Sequence, residues 1–494
     1  MNTALRRISL ACLVMFVALL VNINYRQGFE ANSLTTKPGN SRTFDQQFQY
    51  QRGSILTSDG VTVAESKPIK GIYKYQRYYP AGSVYAPVTG YDSMYSTTGI
   101  ESAENKLLAG TDPTLAVRNL IDLITGKPQQ GYSVDLTVNS KAQQAAYAGL
   151  KANGKSGGVV AINPKTGAIL ALASYPSFNP NEYTTFNGAK LNKNDARLRA
   201  DPSQPLLNRA INETYPPGST FKIVTSSTAF GTGHYNPNTS VPAPTVLHLP
   251  QTTNTLINND GEVCGSGSGS ATLIVAFAQS CNTAFAHLGE VVGNAALKRQ
   301  AGKFGMNSGK LNIPMPVSPS NYPVVSGPAY TAYSAIGQYN DTVTPLQEAM
   351  FSAAIANGGT LMKPYLVQSV KAPDLSLVQQ ASPSVLSHAT SASTANDVKQ
   401  MMLAVVNQPD GTAYAVPGIH GAGLDIAGKT GTAQNGSNDT GLNDAVFTAF
   451  APASNPTIAV GVVIKGGGYG AAAAAPIAVA VIEAYLADIG GGHG

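Results

Sequence analysis

The chain has 494 residues, which is too long for one ordinary domain, so we expect two or more. Hydrophobic residues make up 43% of the chain and charged residues only 12%, a composition that builds a sizeable core and excludes a disordered protein. The net charge of +5 is modest and comes without a dense Lys/Arg run, so we expect no nucleic-acid partner.

The N-terminus has the pattern of a single membrane anchor. Arg6 and Arg7 precede an apolar run at residues 8–21, and no acidic residue comes before Glu30. This charge asymmetry predicts an anchor over residues 1–26, with its N-terminus in the cytoplasm and the bulk of the chain outside. Tyr25 and Arg26 would extend the short run to the far interface. A cleaved signal peptide is the alternative, but the small-x-small cleavage site is missing where the run ends.

Two cysteines, Cys264 and Cys281, would lie outside the cell, where a disulfide can form. The sequence leaves open whether they are bonded or remain two free buried thiols. No Cys/His cluster has zinc-ligand spacing, so we predict neither a metal site nor a cofactor.

A first module is expected after the anchor, at residues 27–153. Residues 27–50 are polar and indicate a stalk. A turn is predicted at Asp59-Gly60, a strand at residues 134–138, and a helix at residues 141–151 with Asn139 or Ser140 as its N-cap.

A second module is expected at residues 154–494. It opens with a predicted hairpin, whose strands at residues 157–162 and 168–173 flank an Asn-Pro-Lys-Thr-Gly turn. It ends with predicted strands at residues 447–450 and 458–464 and a helix at residues 476–486. Strands at both ends of a module with helices between them indicate an α+β fold.

Ser219 and Lys222 form the first candidate for chemistry. A serine hydroxyl is a weak nucleophile until a base removes its proton, and residues three apart share one helix face. Ser219 is the only serine in the chain with a lysine three positions later. It follows Pro216-Pro217-Gly218, so we predict that it starts a helix, whose free N–H groups favour an oxyanion.

Two further motifs follow in order, Ser280-Cys281-Asn282 and Lys429-Thr430-Gly431-Thr432. Each is weak alone, because Ser177-Phe178-Asn179 and Lys165-Thr166-Gly167 match the same patterns. Those earlier copies precede Ser219, and we interpret them as turn residues. The order S-x-x-K, S-x-N, K-T-G is typical of penicillin-binding proteins and related lactamases.

The motifs and their surroundings resemble the transpeptidase domain of class B penicillin-binding proteins. The resemblance is dense from Gly157 onward and includes Leu207-Asn208-Arg209-Ala210 and Thr344-Pro345-Leu346-Gln347. Arg52-Gly53-Ser54-Ile55 resembles the start of the family's N-terminal module. The resemblance implies a small mixed pedestal domain and a serine-β-lactamase-like domain, in which a central antiparallel sheet is flanked by helices and joined by an all-helical subdomain.

The resemblance also implies five catalytic residues. Ser219 attacks the bond between two D-alanines and becomes acylated, and Lys222 takes its proton. Ser280 relays a proton to the leaving amine, Asn282 orients Lys222, and Lys429 supplies positive potential.

Substrate binding is assigned by the same resemblance to the strand of the third motif. Thr430, Gly431 and Thr432 form the substrate-binding residues, with both threonines receiving the terminal carboxylate. The backbone N–H groups of Ser219 and Thr432 form the oxyanion hole.

The implied function is peptidoglycan D,D-transpeptidation in division or elongation, at the cell membrane with the catalytic domain extracytoplasmic. The implied partners are stem peptides, β-lactams and a membrane glycosyltransferase of the shape, elongation, division and sporulation class. Alternatives are a carboxypeptidase or β-lactamase, a β-lactam sensor, and a non-catalytic scaffold. Neither Glu290 nor Glu348 has the sequence context of a deacylating carboxylate, and residues 1–7 are too few for a sensor's output module.

Overall fold

A computed structural model describes residues 3–28, 47–113, 129–309, 311–325, 327–434 and 443–491. The α-helices are, in chain order, α1 (Thr3–Gly28), α2 (Ala86–Thr89), α3 (Gly99–Ala103), α4 (Asn105–Leu108), α5 (Ser140–Asn153), α6 (Gly188–Ala200), α7 (Arg209–Asn212), α8 (Lys222–Phe230), α9 (Leu273–Ala278), α10 (Asn282–Val292), α11 (Asn294–Lys303), α12 (Pro328–Ala335), α13 (Pro345–Ala356), α14 (Ala392–Asn407), α15 (Gly470–Ala473) and α16 (Ala475–Gly491).

The strands are, in chain order, β1 (Ile55–Leu56), β2 (Thr62–Pro68), β3 (Tyr75–Tyr78), β4 (Ser133–Leu136), β5 (Gly157–Ile162), β6 (Ile169–Tyr175), β7 (Ser240–Pro242), β8 (Val246–His248), β9 (Thr255–Ile257), β10 (Ser270–Thr272), β11 (Thr360–Met362), β12 (Val367–Lys371), β13 (Leu377–Gln380), β14 (Val385–His388), β15 (Ala427–Ala433), β16 (Asp444–Ala451) and β17 (Ile458–Ile464).

Helix α1 is long and apolar enough to cross a membrane. Its segment Leu5–Arg26 has 22 residues with a mean hydropathy of 2.1, and none of it is buried against the rest of the chain. The segment Gly470–Gly490 passes the same test of length and composition, but 56% of it is buried inside the protein, as in a core helix. The predicted stalk at residues 27–50 falls largely outside the described residues.

The C-terminal module is built on an antiparallel sheet with the strand order β15-β16-β17-β5-β6. Every residue of β5, β16 and β17 is buried, which requires helices on both faces of the sheet. Helices α5 and α16 pack on each other and on the sheet, and α13 packs across β5, β16 and β17. The predicted α+β class and the predicted hairpin are confirmed.

Helix α13 lies unusually close to β17 because Gly461 has no side chain. A Cβ atom at Gly461 would stand 2.4 Å from the backbone nitrogen of Ala349 and 2.7 Å from Cβ of Glu348. The Thr448 hydroxyl of β16 donates to the backbone oxygen of Glu348 at 2.6 Å. These contacts fix α13 to the centre of the sheet.

The helical subdomain packs beside the edge strand β15. Helices α8, α10, α11 and α12 contact one another, and α14 contacts both α9 and β15. A Cβ atom at Gly289 of α10 would lie 2.1 Å from Cβ of Ala335, so small residues set the distance between α10 and α12. The subdomain thereby brings the start of α8 and the start of α10 to the β15 edge.

The N-terminal module contains a second sheet with the order β13-β12-β4-β1-β2-β3. Strands β12 and β13 lie within the second module in sequence, and β12 pairs antiparallel with β4 through Val367 and Leu136. The predicted N-cap of α5 is Asn139, whose side chain accepts from the backbone N–H groups of Lys141 and Ala142. The domain boundary at residue 153 stays a prediction.

A buried ion cluster holds the N-terminal module together. Glu101 is fully buried and accepts from Arg52 Nε at 2.7 Å and from Arg77 Nε at 2.5 Å. Burial alone raises the pKa of the Glu101 carboxyl, but the charges of Arg77 and Arg52 outweigh it and lower the pKa below its ordinary value. Asp92 lies 3.7 Å from Arg52 Nε on the same cluster. Glu101 is therefore ionised and neutralises two buried cations.

Candidate active site

Ser219 lies in a turn that precedes helix α8. A 3₁₀ helix covers Gly218–Phe221, and the α-helix begins at Lys222, so Ser219 does not start α8 as the sequence predicted. In a 3₁₀ turn, residues three apart are eclipsed, which still places Ser219 and Lys222 on one side. Gly218 has a φ of +55°, which side chains with a Cβ atom rarely adopt. Its N–H donates to the Gly337 oxygen at 2.9 Å.

Lys222 is fully buried and its amine has three polar neighbours. Nζ lies 2.7 Å from the Ser280 backbone oxygen, 2.8 Å from Asn282 Oδ1 and 3.2 Å from Ser280 Oγ. Burial, and next the nearby charge of Lys429, hold the pKa of Lys222 well below its ordinary value. A lowered pKa favours the neutral amine, whose lone pair can accept a proton.

Lys429 is the second buried lysine and lies in strand β15. Nζ donates to Ser280 Oγ at 2.9 Å and to the Thr430 backbone oxygen at 3.0 Å. Burial lowers the pKa of its ammonium to about 7. The charge of Lys429 lowers the pKa of Lys222, so protonation of one of these two amines disfavours protonation of the other.

Ser280 joins the two lysines. Its backbone φ is +60°, an uncommon conformation for a residue other than glycine. This conformation presents Oγ to the amines of both Lys222 and Lys429. A neutral Lys222 amine donates only two protons, and these go to its two nearer oxygens. The Ser280 hydroxyl accepts from Lys429, and it can donate to Lys222 whenever the Lys222 amine is neutral.

A disulfide bond holds the middle of this motif. Cys281, between Ser280 and Asn282, is bonded to Cys264 with a Cα–Cα distance of 5.8 Å. The bond fixes the start of α10 to the loop that precedes β10. Of the two states that the sequence left open for these cysteines, the structure has the disulfide.

The motifs meet at a cavity of about 440 Å³. Of the predicted residues, Ser219, Ser280, Asn282, Thr430 and Thr432 line it. The amines of Lys222 and Lys429 reach its wall through Ser280.

Gly431 packs against the nucleophile turn. A Cβ atom at Gly431 would stand 3.0 Å from the Pro217 oxygen and 3.2 Å from Thr220 Cγ2. A Cβ atom at Gly218 would lie 3.0 Å from the Thr432 oxygen. The absence of side chains at these positions allows the turn and the strand to come together, so that Ser219 and Thr432 share one cavity.

Sequence reasoning missed Thr412, which lies between α14 and β15. Its Oγ1 atom is 2.6 Å from Oγ1 of Thr430, and its backbone N–H donates to the Ala278 oxygen at 3.0 Å. The segment Asp410-Gly411-Thr412 has ordinary turn composition, so no local signal singles it out. The other lining residues that the sequence did not identify are Asn259, Glu262, Gln279, Tyr469, Gly470 and Ala471.

The two early motif copies lie away from this cavity, in the turns where the sequence placed them. The Asn179 side chain accepts from the Asn181 backbone N–H and caps the 3₁₀ helix Pro180–Tyr183. Lys165-Thr166-Gly167 forms the turn between β5 and β6, where Gly167 has a φ of +84°.

A larger cavity, of about 640 Å³, lies between the two modules, with Tyr91, Phe178 and Leu207 among its lining residues. No residue of the Ser219, Ser280 or Lys429 motifs lines this larger cavity. The smaller cavity is the candidate active site, because Ser219, the two buried lysines and the threonines converge there.

Comparison with known protein families identifies the chain. The model described as the penicillin binding protein transpeptidase domain matches residues 157–483. The chain belongs to the penicillin-binding protein transpeptidase family. The penicillin binding protein A dimerisation domain matches residues 52–134, which places the N-terminal module in the same family of proteins.

Penicillin-binding protein relatives match almost the whole chain. The peptidoglycan D,D-transpeptidase PbpA of Mycolicibacterium smegmatis is 41% identical over 501 residues, covering 99% of this chain and 100% of that protein. The PbpA of Mycobacterium tuberculosis is 40% identical over 498 residues, covering 98% of this chain and 99% of that protein. Among solved structures, the ceftriaxone acyl-enzyme of M. tuberculosis penicillin-binding protein A has a TM-score of 0.84 at 38% identity, covering 90% of this chain and 100% of that one.

Proposed function

We propose that this chain is a peptidoglycan D,D-transpeptidase that cross-links stem peptides through an acyl-enzyme on Ser219 and is acylated there by β-lactams. One observation carries the assignment of residues. Ser280 Oγ lies within hydrogen-bond distance of both buried lysines, at the wall of the cavity that Ser219 enters. A nucleophile, a neutral base and a proton relay are the parts that serine acyl transfer needs.

Acylation uses the proton of Ser219. Ser219 Oγ attacks the carbonyl carbon between two D-alanines while the neutral Lys222 takes its proton. The C–N bond then breaks, and the proton passes through Ser280 to the departing nitrogen of the terminal D-alanine. Asn282 holds the Lys222 amine through its Oδ1 atom, 2.8 Å away.

Deacylation runs the same path in reverse with a different amine. The amine of a second stem peptide attacks the carbonyl carbon of the Ser219 ester, a new amide C–N bond forms as the ester C–O bond breaks, and a proton from the amine returns to the released Ser219 Oγ. Water in place of that amine would give a carboxypeptidase or a β-lactamase. Glu348, one of the carboxylates weighed for that role, is buried with its carboxyl group against Thr220.

Substrate binding falls to the β15 edge. A substrate with a terminal carboxylate fits Thr430 and Thr432, which line the cavity on the same strand as Lys429. The Thr412 hydroxyl, 2.6 Å from that of Thr430, extends this pair. The N–H groups of Ser219 and Thr432 form the oxyanion hole in this proposal.

The chain also has features that suit a membrane-anchored enzyme. An apolar segment of 22 residues in α1, with Arg6 and Arg7 in its first turn, would hold the N-terminus in the cytoplasm and the modules outside. The Cys264–Cys281 disulfide suits an oxidising, extracytoplasmic space. A membrane glycosyltransferase of the shape, elongation, division and sporulation class is the proposed partner of the N-terminal module.

The test uses the full chain in detergent with a fluorescent penicillin. Wild type should keep a stable covalent label, and Ser219→Ala should take none. The exposed Ser376→Ala variant, on the hairpin between β12 and β13, is the matched control and should label like wild type. A stem peptide ending in D-Ala-D-Ala with a free amine acceptor should give the cross-linked dimer. Rapid loss of the label would favour a hydrolase, and absent labelling and cross-linking would favour a scaffold.

A further inference from the structure

The carboxyl group of Glu348 is buried directly beneath the nucleophile turn. Glu348 lies on α13, is fully buried, and has its Oε1 atom 3.0 Å from Oγ1 of Thr220, the residue after Ser219. Within the described part of the chain, its Oε2 atom is buried without a hydrogen-bond partner and no cation pairs with it. None of the roles assigned above uses this group.

The number of protons available for hydrogen bonding decides the protonation state of the Glu348 carboxyl. Thr220 Oγ1 lies 2.8 Å from the Pro217 backbone oxygen and 3.0 Å from Glu348 Oε1. One hydroxyl donates one proton, and the Pro217 oxygen can only accept. If Glu348 were ionised, one of the two contacts would bring two acceptors together. A protonated Glu348 donates to Thr220, which then donates to Pro217, and both contacts are satisfied.

We propose that Glu348 is a neutral acid that positions Ser219 through a hydrogen-bond relay from Glu348 to Thr220 to the Pro217 carbonyl. The proposal rests on the proposed function and adds a residue to it that neither the motifs nor the comparisons assign. Glu348 is a positioning residue, because it acts on the nucleophile through the turn.

The relay ends where the turn meets the catalytic strand. The Pro217 oxygen and Thr220 Cγ2 are the atoms that a Cβ atom at Gly431 would meet, at 3.0 and 3.2 Å. Residues Pro217 and Thr220 bracket Gly218 and Ser219 in the same turn. A shift of the Pro217 carbonyl therefore moves Ser219 relative to Thr432, whose backbone N–H is the proposed oxyanion donor.

The surroundings of Glu348 keep it neutral. Burial raises the pKa of its carboxyl to about 8, and the Thr220 hydrogen bond is the one opposing influence from the described residues. The charged residues on the elements packed around Glu348 are Asp444 on β16, Arg209 on α7, Asp397 and Lys399 on α14, and Lys222 and Lys429 in the active site, and none of these described residues forms an ion pair with its carboxyl group. When Glu348 is ionised, above a pH of about 8, its carboxylate competes with the Pro217 backbone oxygen for the single hydroxyl proton of Thr220.

The test compares the pH dependence of acylation in wild type and Glu348→Gln. A glutamine side chain donates to Thr220 as the neutral acid does, but it does not titrate. Second-order acylation by penicillin G is measured by stopped flow from pH 6 to pH 9.5. The two proteins should react alike at pH 6, and the variant should be faster at pH 9 by about tenfold, because an acid with a pKa of about 8 is roughly one-tenth neutral at that pH. Lys222 and Lys429 titrate in both proteins, so their effect cancels in the ratio of the two acylation rates.

Two further variants break the relay in other places. Thr220→Val removes the connecting hydroxyl while keeping the shape, and Glu348→Leu removes the donor. Both should acylate more slowly than wild type at pH 6, and adding Glu348→Gln to Thr220→Val should no longer change the alkaline rate. Superimposable pH profiles for wild type and Glu348→Gln, or a Glu348→Leu protein as fast as wild type throughout, would overturn the proposal.

Stability gives a readout that does not depend on activity. The folded pKa of Glu348 lies above its unfolded value of about 4.5, so its contribution to folding is complete below that pH and is lost as pH rises to about 8. Glu348→Gln should therefore melt progressively higher than wild type as pH rises from 5 to 9. A constant melting difference contradicts a buried neutral acid. Failure of Ser219 to acylate in wild type would instead refute the proposed function and leave this melting result intact.

Discussion

The Ser280 hydroxyl accepts a hydrogen bond from Lys429 Nζ at 2.9 Å. It lies 3.2 Å from Lys222 Nζ on its other side, so one oxygen connects the two buried lysines. In that position a positive charge on one side makes the hydroxyl a better proton donor toward the other. The relative order of the two lysine pKa values sets the direction in which a proton moves.

Removing this hydroxyl should slow acylation without unfolding the protein. Ser280→Ala leaves both lysines in place but removes the relay, so acylation by penicillin G should fall by about 10²- to 10⁴-fold, the usual contribution of general acid–base catalysis. Stopped-flow fluorescence measures the rate, and circular dichroism checks the fold. An unchanged rate would show that protons reach the leaving group by another route.

Lys429 should have opposite effects on stability and activity. Its folded pKa of about 7 lies below the ordinary 10.5, so its buried charge costs stability below pH 7, and this cost disappears as pH rises toward 10.5. Lys429→Met should raise the free energy of unfolding by about 1–4 kcal/mol at pH 6 and by little near pH 10. Urea unfolding at both pH values measures this difference. The same variant should lose β-lactam acylation, and a variant less stable than wild type at pH 6 contradicts the argument.

The Cys264–Cys281 disulfide should stabilise the second motif. It closes a loop with a sequence separation of 17 residues, for which the chain-entropy contribution is about 3 kcal/mol. Cys264→Ser with Cys281→Ser should therefore lower the melting temperature, and acylation should slow because Ser280 holds an unfavourable backbone conformation beside the lost bond. Cys12→Ser is the control, since Cys12 is exposed on α1, and it should change neither quantity.

Glu101 should be the most sensitive carboxylate of the N-terminal module. Glu101→Gln removes the carboxylate that pairs with both buried arginines and leaves Asp92, 3.7 Å from Arg52 Nε, on the cluster, which should cost about 3–5 kcal/mol of unfolding free energy. The matched control is Glu65→Gln, because Glu65 pairs with Lys67 at 3.4 Å on the surface and such pairs contribute about 0–1 kcal/mol. Urea unfolding of both variants tests the contrast. Equal losses would mean that the cluster is not the stabilising feature.

The spacing of residues along the sequence was enough to find the three motifs. It was not enough to find residues such as Thr412, which contact the motifs from distant parts of the chain. Ser219 and Lys222 are three residues apart, so their proximity follows from helix geometry, and chain order then selected Ser280 and Lys429. Thr412 touches Thr430 only because α14 returns the chain to β15, a contact that no local pattern encodes.

The fold shows the same division between local and distant pairing. The hairpin of β5 and β6 is joined by a short turn with its own sequence signal, and it was predicted. The pairing of β4 with β12 joins residues more than 200 positions apart, and short strands of this kind carry no signal of their partner. The 3₁₀ turn at Ser219 was also missed, because Gly337 and the β15 strand impose it from outside the segment.

The pairing of β4 with β12 has a practical consequence for anyone who exchanges parts between relatives. A fragment that stops at residue 153 would expose the unpaired backbone N–H and C=O groups of β4. These groups can pair with a strand of another molecule, so we expect the fragment to aggregate. A chimera has to transplant residues 367–380 together with the N-terminal segment. Because backbone hydrogen bonds join β4 to β12, we expect the two modules to unfold together and a force applied at the anchor to reach the second module through these bonds.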